Sequence, residues 1–280
     1  MELNLKNAIK ELKTQYEDRR LIPFIGAGFS IPLQLPSWKE LIISLGNKLG
    51  YEEDLYLLHG NYQQLAEYAK LKGRRTWNTF MHTLMVEFDS AESNRKRKES
   101  KQHISLSNLS VDTVYTTNYD RHIELAFEDI GKNVKTIVNI RDFIDQDNLA
   151  YDLEVIKFHG CIIEPSSIIL TESAYYDRME LENPLDQRLR SDALSNSFLF
   201  IGYSFDDPNI RYIWYKIHQL IERYASFDNH AIPRPSYIVT FGHNEVQSKL
   251  LNELNIKVIS LDPEDKEDQI CELLDQINKK

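Results

Sequence analysis

The chain is poor in cysteine and in positive charge, and each shortage excludes a class of protein. Among 280 residues the only cysteines are Cys161 and Cys271, so one chain supplies neither a disulfide framework nor a four-cysteine zinc site. The formal net charge of -10 argues against binding of a nucleic-acid backbone by the surface as a whole. We therefore expect a protein of the reducing cytoplasm that does not bind nucleic acid directly.

Long hydrophobic segments are also missing. The longest apolar runs, such as Phe198 to Ile201, fall far short of the roughly 18 residues that a membrane-spanning helix needs. The amino-terminal stretch from Met1 to Arg20 is charged and helix-patterned, and it lacks the apolar core of a secretory signal. We expect neither a membrane span nor export.

Short apolar runs rich in β-favouring residues, by contrast, recur along the chain. In four of them, the runs that begin at Leu21, Val111, Val155 and Ser197, the hydrophobicity is typical of strands that are covered on both faces in a parallel sheet. Helical patterns alternate with them in the second half of the sequence. The predicted strands are Leu21 to Ile25, Val111 to Thr116, Val134 to Val138, Val155 to Phe158, Ser197 to Ile201, Tyr237 to Thr240 and Val258 to Leu261. The predicted fold class is α/β, a Rossmann-like doubly wound parallel sheet with a helical insertion.

We expect one domain over residues 1–280 that is interrupted twice. The first interruption, at about 37–109, has a helical pattern and is too long for an ordinary crossover, which needs only a dozen or so residues. It starts with Ser37 as a helix N-cap and Glu40 in position to complete a capping box. The second, at about 164–196, is polar and helical, and we expect it to cover a pocket.

Four polar or glycine-bearing segments each follow directly on a predicted strand. They are Gly26-Ala27-Gly28-Phe29-Ser30, Thr117-Asn118-Tyr119-Asp120, His159-Gly160 and Gly202-Tyr203-Ser204. The carboxyl ends of parallel strands lie along one edge of the sheet, and ligands of open α/β folds bind in a crevice outside that edge. We therefore expect these distant segments to line one pocket.

The first segment has the composition of a phosphate-binding turn. Gly26 and Gly28 allow a tight turn and a close approach to a diphosphate, and a following helix end offers free N–H groups. Ile31 stands where the usual Rossmann fingerprint has a third glycine, so the signal is weak when taken alone. A purely structural turn is the alternative.

The second and third segments carry the side chains suited to chemistry. Asn118 offers a donor and an acceptor that can orient a carboxamide, a ribose hydroxyl or an attacking water. Asp120 is a ligand contact or, alternatively, a cap for the helix that begins near Arg121. His159 precedes a glycine at a strand end, and an ordinary imidazole pKa near ~6.5 leaves it able to accept a proton. It is the best general-base candidate, although a lone histidine near a strand is more often structural.

The fourth segment repeats the transition from strand to glycine. Ser204 is placed to bind a ribose or phosphate oxygen, and Tyr203 to cover an aromatic ring. Asp207 before Pro208 is typical of an N-cap followed by proline at the first helical position, so we do not assign Asp207 to catalysis. The eight histidines form no HxxxH pair and no cluster with cysteine, so no metal site is predicted.

In this order, the four segments resemble the motifs of the sirtuin-like superfamily, specifically its prokaryotic NAD-consuming branch associated with antiphage defence. Residues 26–30 look like the family's GAGxS loop, and residues 117–120 resemble its TNxD-type segment. His159-Gly160 resembles the catalytic HG, and residues 202–204 the later G-[TY]-S nucleotide contact. The motifs span residues 21–204, and the downstream strands extend the resemblance over most of the chain.

The resemblance implies that NAD+ is the substrate, with no prosthetic group and no zinc. It implies that Asn118 positions the nicotinamide ribose or water and that His159 activates the nucleophile. The implied NAD+-binding residues are Gly26, Ala27, Gly28, Phe29, Ser30, Asn118, Asp120, Gly202, Tyr203 and Ser204. Deacetylating sirtuins carry two CxxC pairs after the HG segment, whereas this chain has only Cys161 there. We therefore expect an NAD+ hydrolase that releases nicotinamide and ADP-ribose.

Two other functions stay open from the sequence. One is NAD-dependent protein deacylation or ADP-ribosylation, and the other is a noncatalytic nucleotide-binding assembly module. Because uncontrolled NAD+ hydrolysis would harm the host, we expect control by homo-oligomerisation or by a partner protein. Members of the resembling branch work beside a HerA-like ATPase or an Argonaute-like protein, and the sequence does not choose between them.

Overall fold

A computed structural model describes residues 5–144, 150–205, 207–225 and 234–279. Within these ranges, seven strands form one sheet: β1 (Leu21–Ile25), β2 (Thr113–Thr116), β3 (Val134–Ile137), β4 (Leu153–Lys157), β5 (Ser197–Ile201), β6 (Ser236–Phe241) and β7 (Ile256–Leu261). Their order is β3-β4-β2-β1-β5-β6-β7, and every pair of neighbours is parallel. The predicted α/β class is confirmed, and the predicted strand limits agree within two residues.

The described ranges also contain 14 α-helices. They are α1 (Leu5–Glu17), α2 (Trp38–Lys48), α3 (Glu53–Leu57), α4 (Tyr62–Lys72), α5 (Arg74–Phe88), α6 (Ala91–Glu99), α7 (Lys101–Ser107), α8 (His122–Asp129), α9 (Ile140–Ile144), α10 (Glu172–Met179), α11 (Pro184–Ser195), α12 (Pro208–Ala225), α13 (Glu245–Glu253) and α14 (Lys266–Asn278). None of these helices is long and apolar enough to cross a membrane.

Helices cover both faces of the sheet, as a doubly wound fold requires. Along β1, Leu21 and Ile25 point into a core shared with α1, α7, α8 and α14. Ile22 and Phe24 point the other way, into a core shared with α11, α12 and α13. This alternation follows from the two-residue period of a strand. Because both faces are covered, β1 is buried along its whole length, which explains the uninterrupted hydrophobic run in the sequence.

The helices α2 to α7 lie between β1 and β2, and α2, α4 and α5 contribute to a third core of their own. The predicted capping box of α2 is confirmed: Ser37 Oγ accepts the Glu40 N–H at 3.3 Å, and the Glu40 carboxylate accepts the Ser37 N–H at 2.7 Å. Tyr119, Ile162 and Leu170 join this core from the sheet side. The limits 37–109 and 164–196 for two insertions stay a prediction.

A buried histidine on α7 couples the stability of the fold to pH. His103 packs against Phe29 with 4.8 Å between ring centroids, and its Nδ1 lies 2.9 Å from Ser100 Oγ. Burial lowers the pKa of His103 to about 3. The folded protein therefore keeps this imidazole neutral at a pH where the unfolded chain, with a pKa of about 6.5, takes up a proton.

We expect the free energy of unfolding to fall as the pH drops from about 6.5 towards 3, because protonation favours the unfolded chain. Replacing the titrating group, as in His103→Leu, should reduce the slope by up to about 1.36 kcal/mol per pH unit, the value for one proton. Urea unfolding at several pH values between about 6.5 and 4.5 measures this dependence of the free energy of unfolding on pH. The exposed His82→Leu is the control. Equal slopes for His103→Leu and the unmodified protein would contradict the assignment.

Candidate functional site

The four strands that precede the motifs are neighbours in the sheet. They form its centre in the order β4-β2-β1-β5, so the four predicted segments emerge side by side at the carboxyl edge. Between β1 and β5 the chain changes direction across the sheet, because β2 to β4 lie on one side of β1 and β5 to β7 on the other. Such a switch point is where ligands of open α/β folds bind.

The glycine turns after β1 and β5 pack backbone against backbone. The Gly28 N–H donates to Gly202 O at 2.8 Å, and a Cβ on Gly26 would lie 2.4 Å from the same oxygen. A Cβ on Gly202 would lie 2.2 Å from the backbone nitrogen of Phe29, and Gly202 has a φ of +66. Glycine is therefore required at these positions both for space and, at Gly202, for the left-handed backbone.

The segment after the first turn is helical, but its turns are tighter than those of an α-helix. Residues Ala27–Leu33 form a 3-10 helix with Pro32 inside it, and Gln34 ends it at a φ of 58. The Phe29 N–H already donates to Gly26 O at 3.0 Å. Proline has no N–H to continue an α-helical ladder, which limits the segment to this tighter form. The N–H groups of Gly28 and Phe29 already have acceptors. The prediction that this turn offers free N–H groups is therefore wrong for these two residues.

The residues of the first motif divide between core and site. The Phe29 ring is fully buried in the core beside α7, so only its backbone faces the turn. Ala27 is exposed at the rim, and Ser30 is buried with its hydroxyl close to the second motif.

Asn118 is held at one end and unpartnered at the other. It is 6% exposed, and its Nδ2 donates to Ser30 Oγ at 3.1 Å and to Gly26 O at 3.3 Å. Its Oδ1 is buried and has no hydrogen-bond partner among the described residues. Two donor contacts fix the orientation of the amide, so Oδ1 is a preorganised acceptor.

Asp120 lies one residue before Arg121, the N-cap position of α8, and binds the first turn of that helix. Its Oδ1 accepts the His122 N–H at 2.9 Å where α8 begins, and its backbone oxygen accepts a hydrogen bond from Lys157 Nζ. Asp120 also lines a small cavity of about 40 Å³ together with Ala27, Ser30 and Asn118. Wider concavities of about 580 Å³ and 380 Å³ open on α5 and between α12 and α13, and no residue of the four motifs lines them.

His159 is enclosed. It is 2% exposed, and the Tyr175 ring of α10 stands edge-on to it with 5.4 Å between centroids. Its backbone oxygen accepts the Ile169 N–H at 3.0 Å. Burial lowers the pKa of His159, and the charge of Asp207 only partly opposes this. The imidazole is therefore neutral at neutral pH, as a general base must be.

The backbone around His159 is held from the second interruption. Gly160 has a φ of +91, and a Cβ there would lie 2.3 Å from Ser167 O. Arg178 on α10 donates to Phe158 O at 2.8 Å and stacks over the Phe158 ring at 4.2 Å. Arg178 is itself paired with the buried Asp186 of α11.

Sequence reasoning missed one contact of His159. Asp207 does cap α12 as predicted, since its Oδ1 accepts the Ile210 N–H at 3.0 Å. Its Oδ2, however, lies 3.4 Å from His159 Nε2 and accepts the Tyr175 hydroxyl at 3.1 Å. The available signal was position: an acid shortly after β5 lies at the same sheet edge as the motifs.

The remaining predicted residues lie at the end of β5. The Tyr203 ring packs on the core aromatics Phe24 and Phe205, with centroids 5.3 Å and 5.9 Å away. Ser204 is exposed, and its backbone oxygen accepts from Gln247 Nε2 at 3.0 Å. Ser204 is therefore at the rim, and the Tyr203 ring packs against the core.

A buried ion pair supports the loop of Asn118 from below. Lys157 and Glu124 are both 0% exposed, with Nζ 3.3 Å from Oε1. Burial opposes a charge on Lys157, but Glu124 outweighs it and raises the pKa of the ammonium group. Lys157 Nζ also donates to Asp120 O, so the pair joins β4, α8 and the loop between β2 and α8.

The arrangement supplies a fixed acceptor and a neutral imidazole beside two glycine turns that pack against each other. No cluster of three or more metal-ligating side chains occurs in the part of the chain that the structure describes. Such a set of groups suits the orientation of a polyhydroxylated ligand and the removal of one proton from it or from water.

Comparison with known proteins gives a match to the family of SIR2-like domains over residues 112–259. This span starts at the residue before β2 and ends within β7. It includes Asn118, His159 and Asp207, whereas the glycine turn after β1 lies outside it.

The chain is also similar to several bacterial proteins. It is 34% identical over 220 residues to the NAD(+) hydrolase ThsA of Cytobacillus dafuensis, covering 76% of this chain and 41% of that protein. It is 29% identical over 215 residues to the NAD(+) hydrolase ThsA of Bacillus cereus, covering 77% and 43%. The defense-associated sirtuin 2 of Bacillus subtilis is 24% identical over 219 residues, 74% of this chain and 20% of that protein. The chain thus spans less than half the length of these relatives.

We expect Lys157→Met to lower the free energy of unfolding by about 3–5 kcal/mol, because it leaves the Glu124 carboxylate buried without a counter-charge. The double variant Lys157→Met/Glu124→Leu should recover most of this loss, since it removes both charges. Urea unfolding of the single and double variants measures the difference. The exposed pair of Lys101 and Asp268 is the control, where Lys101→Met should cost much less, because water screens the charges of an exposed pair. Equal losses at the two sites would contradict the role of burial.

Proposed function

The chain belongs to the SIR2-like domain family, and on that premise we propose that it hydrolyses NAD+ to nicotinamide and ADP-ribose. Relatives named as NAD(+) hydrolases that match about three quarters of this chain support the proposal. The relative named as a defense-associated sirtuin supports a role in antiphage defence.

The observation that carries the proposal is a buried polar atom beside the glycine turn. Asn118 Oδ1 is inaccessible and has no hydrogen-bond partner among the described residues. Buried polar atoms are nearly always satisfied in folded proteins, so this exception at the end of β2 calls for a ligand, and His159 follows the neighbouring strand β4. The hydroxyls of a ribose, or a water held beside one, are suitable partners.

The chemistry needs only one base. Nicotinamide leaves the cationic pyridinium as a neutral molecule, so the bond from ribose C1′ to nitrogen breaks with its electron pair on nitrogen and no acid is required. Water then forms the new bond to C1′ and gives up a proton, which His159 is placed to accept. The preorganised Asn118 Oδ1 orients the ribose or water and favours the positive charge that develops at C1′.

The glycine turns supply the NAD+-binding surface in this proposal. Gly26, Gly28 and Gly202 allow the two turns to pack backbone against backbone, and we propose that the diphosphate binds on the outer side of this contact. Ala27 and Ser204 lie at the rim, where they suit the part of NAD+ farther from the reacting sugar. Phe29 acts only through its backbone, since its ring belongs to the core. Ser30 and Asp120 act by holding Asn118 and its loop, and Tyr203 by packing beneath the turn.

The described conformation is closed, so NAD+ enters only after a movement. The cavity at Asn118 has about 40 Å³, far less than the roughly 300–1,000 Å³ of typical small-molecule pockets. Tyr175 covers His159, and α10 is fastened to α4 by polar contacts. Ser173 donates from its N–H and its hydroxyl to Glu67 at 3.0 Å and 2.7 Å. We propose that α10 moves away from α4 when NAD+ binds.

We also propose that the activity is controlled by homo-oligomerisation or by a partner protein, either a HerA-like ATPase or an Argonaute-like protein. Unregulated hydrolysis would deplete the NAD+ of the host, so a controlled activity fits a defence role. The two free buried thiols, Cys161 and Cys271, fit a reducing cytoplasm. Turnover measured against particle mass, with and without each candidate partner, tests this control. Full activity of an isolated monomer would contradict it.

We expect Asn118→Ala and His159→Ala each to lower NAD+ turnover at least about 100-fold, because one removes the fixed acceptor and the other the base. Chromatography of nicotinamide and ADP-ribose measures it, and a deacylated peptide product would indicate the transferase alternative instead. The exposed Asn47→Ala and His82→Ala are matched controls and should keep normal turnover. Near-normal activity of both site variants, with the fold intact, would remove them from the mechanism.

We expect the double variant Glu67→Cys/Ser173→Cys to lose NAD+ turnover when oxidised and to regain it after reduction, because a disulfide locks α10 onto α4. Both native cysteines are buried, so the engineered pair is the accessible one. Each single cysteine variant, treated with the same oxidant, is the control. An oxidised double variant with the disulfide formed and turnover unchanged would show that NAD+ enters by another route.

A further inference from the structure

We propose that Asp207 is a positioning residue that holds the imidazole of His159 in its reactive orientation and tautomer, an inference that rests on the proposed NAD+ hydrolysis. Its carboxylate serves two elements at once. Oδ1 accepts the Ile210 N–H at the start of α12, and Oδ2 lies 3.4 Å from His159 Nε2.

The placement of Asp207 across the sheet edge is informative. His159 follows β4 and Asp207 follows β5, and β2 and β1 lie between these strands. At about 4.8 Å per strand, the two chain segments leave the sheet roughly 14 Å apart. Two residues after β5 have a left-handed backbone, Gly202 at a φ of +66 and Phe205 at a φ of 62, and Asp207 lies beside His159 in spite of this separation. A helix cap alone does not require this placement.

The carboxylate is itself held in place. Beyond the bond from Ile210, the Tyr175 hydroxyl donates to Oδ2 at 3.1 Å. The amino end of an α-helix favours a negative charge, and α12 is long enough to provide it. Asp207 is only 11% exposed at its side chain, so its interaction with His159 is little screened by water. The group that faces Nε2 is therefore a fixed anion.

A fixed anion beside one ring nitrogen determines the role of the other. A carboxylate favours the tautomer with a proton on Nε2, which leaves Nδ1 as the acceptor for the proton of water or of a ribose hydroxyl. The separation of 3.4 Å is longer than a direct hydrogen bond, as is common in ligand-free sites whose contacts tighten around substrate.

Other charged and titratable groups near His159 come from the surrounding elements. Tyr175 and Arg178 face it from α10, and Tyr119 approaches Asp207 from the loop after β2. Arg178 disfavours a charged imidazole, but its own pairing with Asp186 reduces that effect. Among the described residues, Asp207 supplies the carboxylate that lies within salt-bridge distance of the His159 ring.

The test compares three variants with the unmodified chain. Asp207→Asn keeps a side chain that caps α12 but replaces the anion with an amide that donates to Nε2. Asp207→Ser keeps a capping hydroxyl that is too short to reach the ring. Tyr175→Phe leaves the cap intact and removes one donor from the Asp207 carboxylate.

We expect Asp207→Asn to lower kcat for NAD+ at least about 100-fold with little change in KM and in the thermal midpoint, because the imidazole is left in the wrong tautomer. Asp207→Ser should behave likewise. The acidic limb of kcat/KM should move to lower pH in Asp207→Asn, since an anion that favours imidazolium is lost. It should move to higher pH in Tyr175→Phe, since the carboxylate becomes a stronger acceptor. If Asp207 acted only as a helix cap, its replacement would change the stability of the protein and leave the pH profile of kcat/KM unchanged.

A measurement without NAD+ separates this inference from the proposed function. Nitrogen-15 NMR of the imidazoles, with His159 assigned by its absence in His159→Gln, should show the proton on Nε2 in the unmodified chain and on Nδ1 in Asp207→Asn. If the unmodified chain releases no nicotinamide, the proposed function is wrong. If it does, and Asp207→Asn keeps its kcat, its pH profile and the same tautomer, the positioning role of Asp207 is overturned and NAD+ hydrolysis stands.

Discussion

Two glycine turns pack backbone against backbone at the centre of the sheet edge, and the positions of the other site residues depend on that contact. The Gly28 N–H donates to Gly202 O, and neither turn has room for a side chain between them. The first turn fixes Asn118 through its amide. The second leads into the loop that brings Asp207 to His159. This single contact therefore links Asn118, which follows β2, with Asp207 and His159, which follow β5 and β4.

Much of this architecture follows from local sequence. Apolar runs identified the four central strands, because a strand covered on both faces has few solvent-facing positions to break the run, and the alternation with helical patterns identified the other three; all seven agree within two residues. Because parallel strands end at one edge of the sheet, the sequence also predicted that Asn118 lies near the glycine turn. In the structure its amide contacts Ser30 there. The capping pattern of Ser37 and Glu40 was equally local, since it spans three residues.

What sequence reasoning missed depends on contacts between distant segments. The helix cap uses one carboxylate oxygen of Asp207. The neighbouring sequence does not indicate which residue the second oxygen contacts. The enclosure of His159 depends on α10 meeting α4, through Ser173 and Glu67, which are 106 positions apart. The 3-10 form of the first turn depends on Pro32 and on a carbonyl supplied by β5's loop. Each of these is a tertiary constraint.

The contact between the glycine turns also has a consequence for synthesis of the chain. The turn at Gly28 is made early, yet its acceptor at Gly202 emerges from the ribosome 174 residues later. Such a non-local closure comes late in folding, because the entropy of the intervening loop must be overcome first. A nascent or truncated chain that ends before β5 lacks both the acceptor for the turn and Asp207. Incomplete copies are therefore unable to assemble the site while translation is under way.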